Sequence, residues 1–234
     1  MTSPQQPSPN DSRALPDLTG QLAGRAAQLA TELPPEVLSV FFGQAAMLGE
    51  SDLESKVLAA GSRAPDFSLP DPQGDVVDLA AMLARGPVVL TFYRGAWCPM
   101  CNLQLPALRD SLPAFTAAGA SLVAVSPQLP DGSLTMAERH ALTFPVLSDL
   151  RNVTARQYGL VFTMSAEVVD TARAIGVDFV AVNGNDTWEL PIPATFVIDR
   201  QGVIRWVQAH ADWRQRPQPQ AILDALTALA DEPE

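Results

Sequence analysis

Cys98 and Cys101 are the only two cysteines in 234 residues, and they stand three positions apart. A β-rich run, Val88-Val89-Leu90-Thr91-Phe92-Tyr93, leads into them through Arg94-Gly95-Ala96-Trp97. Behind them, Leu103, Leu105, Leu108 and Leu112 continue as a helical stretch. Strand, dithiol and helix in that order call for a fold in which a buried strand delivers a thiol to a helix N-terminus. Unpaired N–H groups and the positive dipole end there favour the thiolate, the nucleophilic form of cysteine. Sulfurs at this spacing on a first helical turn close a small disulfide without moving the fold, so the pair can cycle. Two inert buried cysteines, or half of a zinc site, are the competing readings. Zinc would need two more soft or imidazole ligands, and the remaining supply is His140 and His210 alone. No metal and no cofactor is expected.

Composition narrows the partners. A formal charge of −11 and a pI near 4.5 argue against nucleic acid and against anionic membranes. No apolar run approaches the ~20 residues of a membrane span. At 47% hydrophobic, the chain can bury a full core. Met1 to Asp17 is rich in Pro, Ser and Gln, reads as a disordered tail, and lacks an export pattern. That points to a reducing, cytoplasmic setting, where a CxxC is catalytic more often than structural.

Residues 18–60 read as a helical arm. Leu18, Leu22, Ala26, Leu29 and Leu33 recur at helical spacing up to Pro34-Pro35; a second helix is expected over Glu36–Met47 and a third over Asp52–Ala59. The arm packs on its own chain, or its Phe41-Phe42 face makes a homodimer contact. From Gly61 strands and helices alternate, which gives an α/β domain over 61–234. A hairpin is expected around Pro70–Gly74, strands at Val88–Tyr93, Ser121–Ser126 and Phe144–Leu147, and a final strand pair at Ala194–Asp199 and Val203–Gln208. Helices are expected over 99–118, Leu134–Ala141, Val153–Tyr158, Glu167–Ile175 and Gln218–Ala230. The order implies a mixed central sheet with helices on both faces.

Four segments in this order carry a family likeness: Gly61-Ser62-Arg63-Ala64-Pro65-Asp66-Phe67-Ser68-Leu69, Phe92-Tyr93-Arg94-Gly95-Ala96-Trp97-Cys98, Phe144-Pro145-Val146-Leu147-Ser148-Asp149, and Thr195-Phe196-Val197-Ile198-Asp199 with Gly202. Over about residues 61–230 the chain resembles the peroxiredoxin-like branch of the AhpC/TSA family, in the thioredoxin-fold superfamily. The resemblance implies a thioredoxin-like fold and thiol chemistry on peroxides. The site departs from the peroxiredoxin pattern P-x-x-x-T-x-x-C, which would put the attacking cysteine at Cys101, the threonine at Cys98 and the proline at Arg94. The family arginine two residues before the Thr-Phe pair is here Pro193, the position of thioredoxin's cis-proline. Thioredoxin's buried carboxylate falls on Phe92.

These residues support two assignments of roles. In the thioredoxin register, which we favour from the sequence, Cys98 is the exposed nucleophile with a lowered pKa and Cys101 resolves; in the peroxiredoxin register Cys101 attacks. Arg94 is a candidate catalytic cation, able to lower a thiol pKa and hold a peroxide oxygen. Trp97 and Pro193 are candidate substrate contacts. The residues 165–192, with Trp188, form a stretch inserted just before Pro193. The expected function is a thiol-dependent peroxidase, reducing hydroperoxides through a Cys98–Cys101 cycle and restored by a thioredoxin-like reductant. A thiol–disulfide oxidoreductase is the alternative, and a redox-regulated binding protein with little turnover is a third.

Overall fold

The computed structural model describes residues 14–231. Residues 1–13 of the tail expected over Met1–Asp17 lie outside the described residues. Asp17 itself is ordered into the fold: its carboxylate accepts the Gly20 N–H at 3.0 Å and caps helix α1 (Leu18–Glu32). Leu18, Leu22 and Leu29 form the buried stripe of α1. Pro35 then occupies the first turn of α2 (Pro35–Glu50), where its missing N–H costs nothing. Gln218 fastens the arm, accepting the Leu18 N–H and donating to Asp17.

The third arm helix does not form. Its place is taken by a single 3-10 turn, Glu54–Lys56, after which the chain extends so that the Leu58 N–H reaches the Tyr158 carbonyl. Gly159 permits this approach, since a Cβ there would sit 2.0 Å from the Lys56 carbonyl oxygen. Glu54 also ties this turn to the C-terminal part of the chain by accepting the Ala211 N–H at 2.7 Å.

The hairpin is β1 (Ser68–Pro70) against β2 (Val76–Asp78), followed at once by a short helix, α3 (Leu79–Leu83). Beyond it run β3 (Val88–Phe92), α4 (Cys101–Ala117), β4 (Ser121–Ser126), α5 (Pro130–Arg139), β5 (Val146–Ser148) and α6 (Val153–Gln157). The inserted stretch is more ordered than its sequence implies. Strand β6 (Val161–Thr163) pairs with β7 (Glu189–Pro191), and between them lie α7 (Ala166–Ala174) and α8 (Phe179–Asn183). The chain closes with β8 (Ala194–Ile198), β9 (Ile204–Ala209) and α9 (Pro219–Ala230).

The main sheet has the order β5-β4-β3-β8-β9. Strand β3 lies in the middle, parallel to β4 and antiparallel to β8. Every residue of β3 is buried, as expected for a strand covered on both faces. Period-two alternation splits it: Val88, Leu90 and Phe92 join the core beneath α3 and α6, while Val89 and Tyr93 join that of α4, α9 and the arm. Phe92 therefore does not lie under the dithiol. It packs on Tyr158 and Phe196 across the sheet, at centroid distances of 5.1 and 6.1 Å, and Thr91 occupies the face towards α4. The arm shares its core with Cys98, Cys101 and α4. Its Phe42 ring stacks on Trp213 at 6.3 Å, so the Phe41-Phe42 face is used within the chain.

Candidate active site

Strand β3 ends at Phe92, and a loop of eight residues, from Tyr93 to Met100, carries the chain to α4. Gly95 turns it with φ +148°; a side chain there would meet the Trp97 indole, whose Nε1 lies 2.3 Å from the position of a Cβ. Gln128 steadies the loop from α5's side by accepting the Ala96 N–H at 2.8 Å. Asn102 closes it from the other side, donating to the Ala96 and Cys98 carbonyls at 2.8 Å each, and its own Oδ1 lies 2.7 Å from His140 Nε2. His140 is thus a brace for the loop.

The Cys98 carbonyl accepts the N–H groups of Cys101 and Asn102, which makes Cys98 the residue that opens the helical turn, with Cys101 the first residue of α4. Both sulfurs are completely buried and both are free thiols. This corrects the expectation that Cys98 is the more exposed: Leu18, Leu22, Leu29 and Leu38 of the arm cover the dithiol together with Trp97 and Trp213.

The charges also fall differently from the thioredoxin register. Burial pushes the Cys101 thiol up, but its hydrogen bond with Cys98, the Arg216 guanidinium and the Arg94 backbone N–H together hold it well below the usual thiol range. Burial, then the hydrogen bond and charge of Cys101, hold Cys98 well above that range. The Arg216 guanidinium, whose Nη2 reaches the Cys101 sulfur at 3.5 Å, favours the charged form on Cys101 over Cys98.

Arg94 is only 7% exposed and lies near enough to Cys98 and Cys101 to feel their charges. Its guanidinium lies 4.8 Å from the Trp97 ring centroid and 5.6 Å from that of Trp213. Burial lowers its pKa, and the charges of Cys98 and Cys101 oppose that shift. Arg94 Nε and Trp97 Nε1 are buried without a hydrogen-bond partner. Both residues face a cleft of about 270 Å³ between the arm and the α7–α8 segment, walled by Leu29, Leu38, Phe41, Phe179 and Trp213. The cleft is mainly apolar, with Arg25 and Glu32 of α1 as further charged residues of its lining.

Pro193 and Arg94 share the wall of a second, very small cavity with Trp213. The Ile192–Pro193 bond is trans, as is every peptide bond among the described residues, which corrects the cis-proline expected there. The Pro193 carbonyl accepts the His210 N–H at 3.2 Å and so continues the β8–β9 ladder. Trp188, in contrast, joins the separate core of α7 and α8.

The residue that sequence reasoning missed is Arg216. It is 5% exposed and belongs to the segment between β9 and α9. Its Nε donates to Gln104 Oε1 at 2.7 Å, and Gln104 Nε2 donates to Thr91 Oγ1 at 3.3 Å. A buried polar chain thus runs from Cys101 through Arg216 and Gln104 to the centre of β3. The faint signal in the sequence was a pair of arginines, Arg214 and Arg216, ahead of two prolines.

A model of the AhpC/TSA family matches residues 60–207. A protein of Mycobacterium tuberculosis strain H37Rv, named provisionally as a peroxiredoxin, is 42% identical over 92 residues, which is 39% of this chain and 58% of that relative. The chain therefore spans a little over half the length of that relative. Alkyl hydroperoxide reductase E of the same organism is 30% identical over 175 residues, covering 74% of this chain and 99% of the relative. Among solved structures, peroxidoxin BcpB from Mycobacterium tuberculosis superposes with a TM-score of 0.58 at 27% identity, covering 74% of this chain and 98% of that one. Family match and mixed sheet agree: the chain belongs to the AhpC/TSA family and has its thioredoxin-like α/β fold.

Proposed function

We propose that this chain is a thiol-dependent peroxidase, reducing hydroperoxides through a Cys98–Cys101 dithiol–disulfide cycle in which the Cys101 thiolate attacks. The observation that carries this reading is the pair of free thiols at the start of α4, wholly buried, with the Arg216 guanidinium on Cys101 at 3.5 Å. Burial favours a small substrate. A disulfide loop of a protein would meet the sulfurs only with the arm lifted, as would the reductant that closes the cycle. A hydroperoxide needs only a path for two oxygens.

The Cys101 thiolate attacks the outer oxygen of R–O–O–H; the S–O bond forms, the O–O bond breaks, and the alkoxide leaves. The Cys98 thiol supplies the proton that makes it an alcohol. The Cys98 thiolate so formed attacks Cys101 sulfur, the disulfide closes, and hydroxide departs. A thioredoxin-like dithiol then returns two electrons and two protons to the pair. Arg94 and Trp97, which line the cleft and carry buried N–H groups without a partner, would hold the peroxide oxygens, and Pro193 shapes the small cavity on the other side of Arg94. Phe42 is engaged by Trp213, so the arm is assigned to covering the site rather than to a dimer contact. Among the described residues no helix is long and apolar enough to cross a membrane. The cycle suits the reducing cytoplasm, where such a reductant is at hand.

The test is consumption of tert-butyl hydroperoxide with thioredoxin or dithiothreitol as donor, run beside insulin-disulfide reduction. Peroxide turnover in the first assay is the expected result. Turnover confined to insulin would overturn the reading in favour of disulfide exchange, and turnover in neither in favour of a redox-regulated binding protein.

A further inference from the structure

Arg216 presents a problem of charge. It is withdrawn from water, yet its oxygen partners are all neutral: Gln104 Oε1 at 2.7 Å, the Gln215 carbonyl at 2.7 Å and the Trp213 carbonyl. A guanidinium taken out of water demands an anion nearby. The acid closest in sequence, Asp212, is already taken, because Arg214 grips it through Nε at 2.9 Å and Nη2 at 2.8 Å. The remaining partner that can bear a negative charge is Cys101 Sγ, 3.5 Å from Nη2.

We infer that Arg216 is a catalytic residue of this site, the counter-ion of the Cys101 thiolate, delivered to it by the segment between β9 and α9. The inference rests on the reading of Cys101 as the reacting sulfur. The surroundings are built to aim it. An arginine only donates, so the Gln104 amide must turn its oxygen to Arg216, and Thr91 takes the Gln104 N–H on the other side. Gln104 stands three residues beyond Cys101 on α4, one turn along the same face, and so ties the guanidinium to the helix that carries the sulfur. Two carbonyls of its own loop hold Nη1, leaving Nη2 for the sulfur. Arg94 is placed differently: it lines the cleft beside Cys98, and its Nε is buried without a partner. The two arginines divide the work, one on the thiolate and one on the incoming oxygens.

The experiment titrates Cys101 in a Cys98→Ser background, so that a single thiol is read, by thiolate absorbance at 240 nm and by iodoacetamide alkylation across pH. Neither readout needs peroxide, so a protein without peroxidase activity still reports on Arg216. Arg216→Gln should raise the Cys101 pKa by about one to three units. In the chain with both cysteines it should slow peroxide oxidation at pH 7 by about 10²-fold. Arg216→Lys, which keeps the charge, should retain most of the lowered pKa. Equal Cys101 titrations in the Gln and Lys proteins would overturn the assignment, because a merely structural arginine would not distinguish them. Should Arg216→Gln fail to fold, the pair can be tested from its other side. Cys101→Ser strands the buried guanidinium, so its thermal midpoint should fall below that of Cys98→Ser; equal midpoints would overturn the inference.

Discussion

Leu22→Ala is the perturbation that links the arm to the chemistry. Leu22 is 7% exposed on the inner face of α1 and shares a core with Cys98, Cys101 and Leu105. Truncating it removes three methyl or methylene groups' worth of packing and leaves a cavity, at a cost of about 3 kcal/mol for a site this buried. If the arm must lift for a reagent to meet the sulfurs, that cost falls on the closed state alone. At 1.4 kcal/mol per tenfold, the open fraction rises by about two orders of magnitude. The assay is labelling of the reduced protein with a bulky maleimide, under conditions where opening and closing are faster than reaction. Labelling of Leu22→Ala should be about 10²-fold faster than that of the parent, with the far-UV dichroism preserved. The control is Leu83→Ala, of similar burial but under the opposite face of the sheet, which should leave the labelling rate near the parent value. Equal acceleration in both proteins would show that the sulfurs are reached through global unfolding, and an unchanged rate in Leu22→Ala that they are reached by a route the arm does not cover.

Further expectations follow from single contacts. Cys101 is held below the ~8.5 of a free thiol, so its contribution to stability is present in full above that pH and is lost as pH falls through its folded pKa. Cys98 is held above it, so its contribution is present below ~8.5 and is lost as pH rises beyond. The thermal midpoint of the reduced protein should therefore fall on both sides of a maximum, and a Cys98→Ser, Cys101→Ser protein should flatten that profile. Peroxide consumption should be sustained at pH 7 and decline on acidification through the Cys101 pKa. Gly95→Ala places a Cβ against the Trp97 indole at a positive φ, and should cost about 1–3 kcal/mol with a change in the near-UV tryptophan dichroism. Asp149 accepts the Thr154 and Ala155 N–H groups at 3.0 and 2.8 Å; Asp149→Ala should cost about 1–2 kcal/mol, read as a lower urea midpoint with an unchanged slope.

The core of the fold was legible because its signals are local and repetitive. Val88–Tyr93 reads as a strand buried on both faces, and the leucines after Cys101 read as a helix, without knowledge of anything distant. The elements that escaped are short or depend on partners. Leu79–Leu83 continues a strand-like run and turns helical only after Asp78, and Val161–Thr163 becomes a strand because Glu189–Pro191 lies beside it. The site divides the same way. Arg94 and Trp97 were found because they stand next to the dithiol in the chain. Arg216 was not, because 115 residues separate it from Cys101 and nothing in the sequence tells a buried arginine from an exposed one. Exposure of the two cysteines was misjudged for a related reason: the arm that covers them comes from residues 18–50, well outside the strand-dithiol-helix segment. The Phe92 error is one of register, since neighbouring residues of a strand face opposite sides and the carboxylate position was carried over one residue from the face it needs.

The central claim, that a buried Cys101 thiolate reduces a peroxide and Cys98 resolves it, is tested most directly in the Cys98→Ser protein. Mixed with one equivalent of tert-butyl hydroperoxide at pH 7, quenched with a sulfenic-acid trap and read by mass spectrometry, it should consume the peroxide and carry the trap on Cys101. A Cys98→Ser protein that leaves the peroxide intact and Cys101 unmodified, while Cys101→Ser accumulates the trapped sulfenic acid on Cys98, would contradict the account.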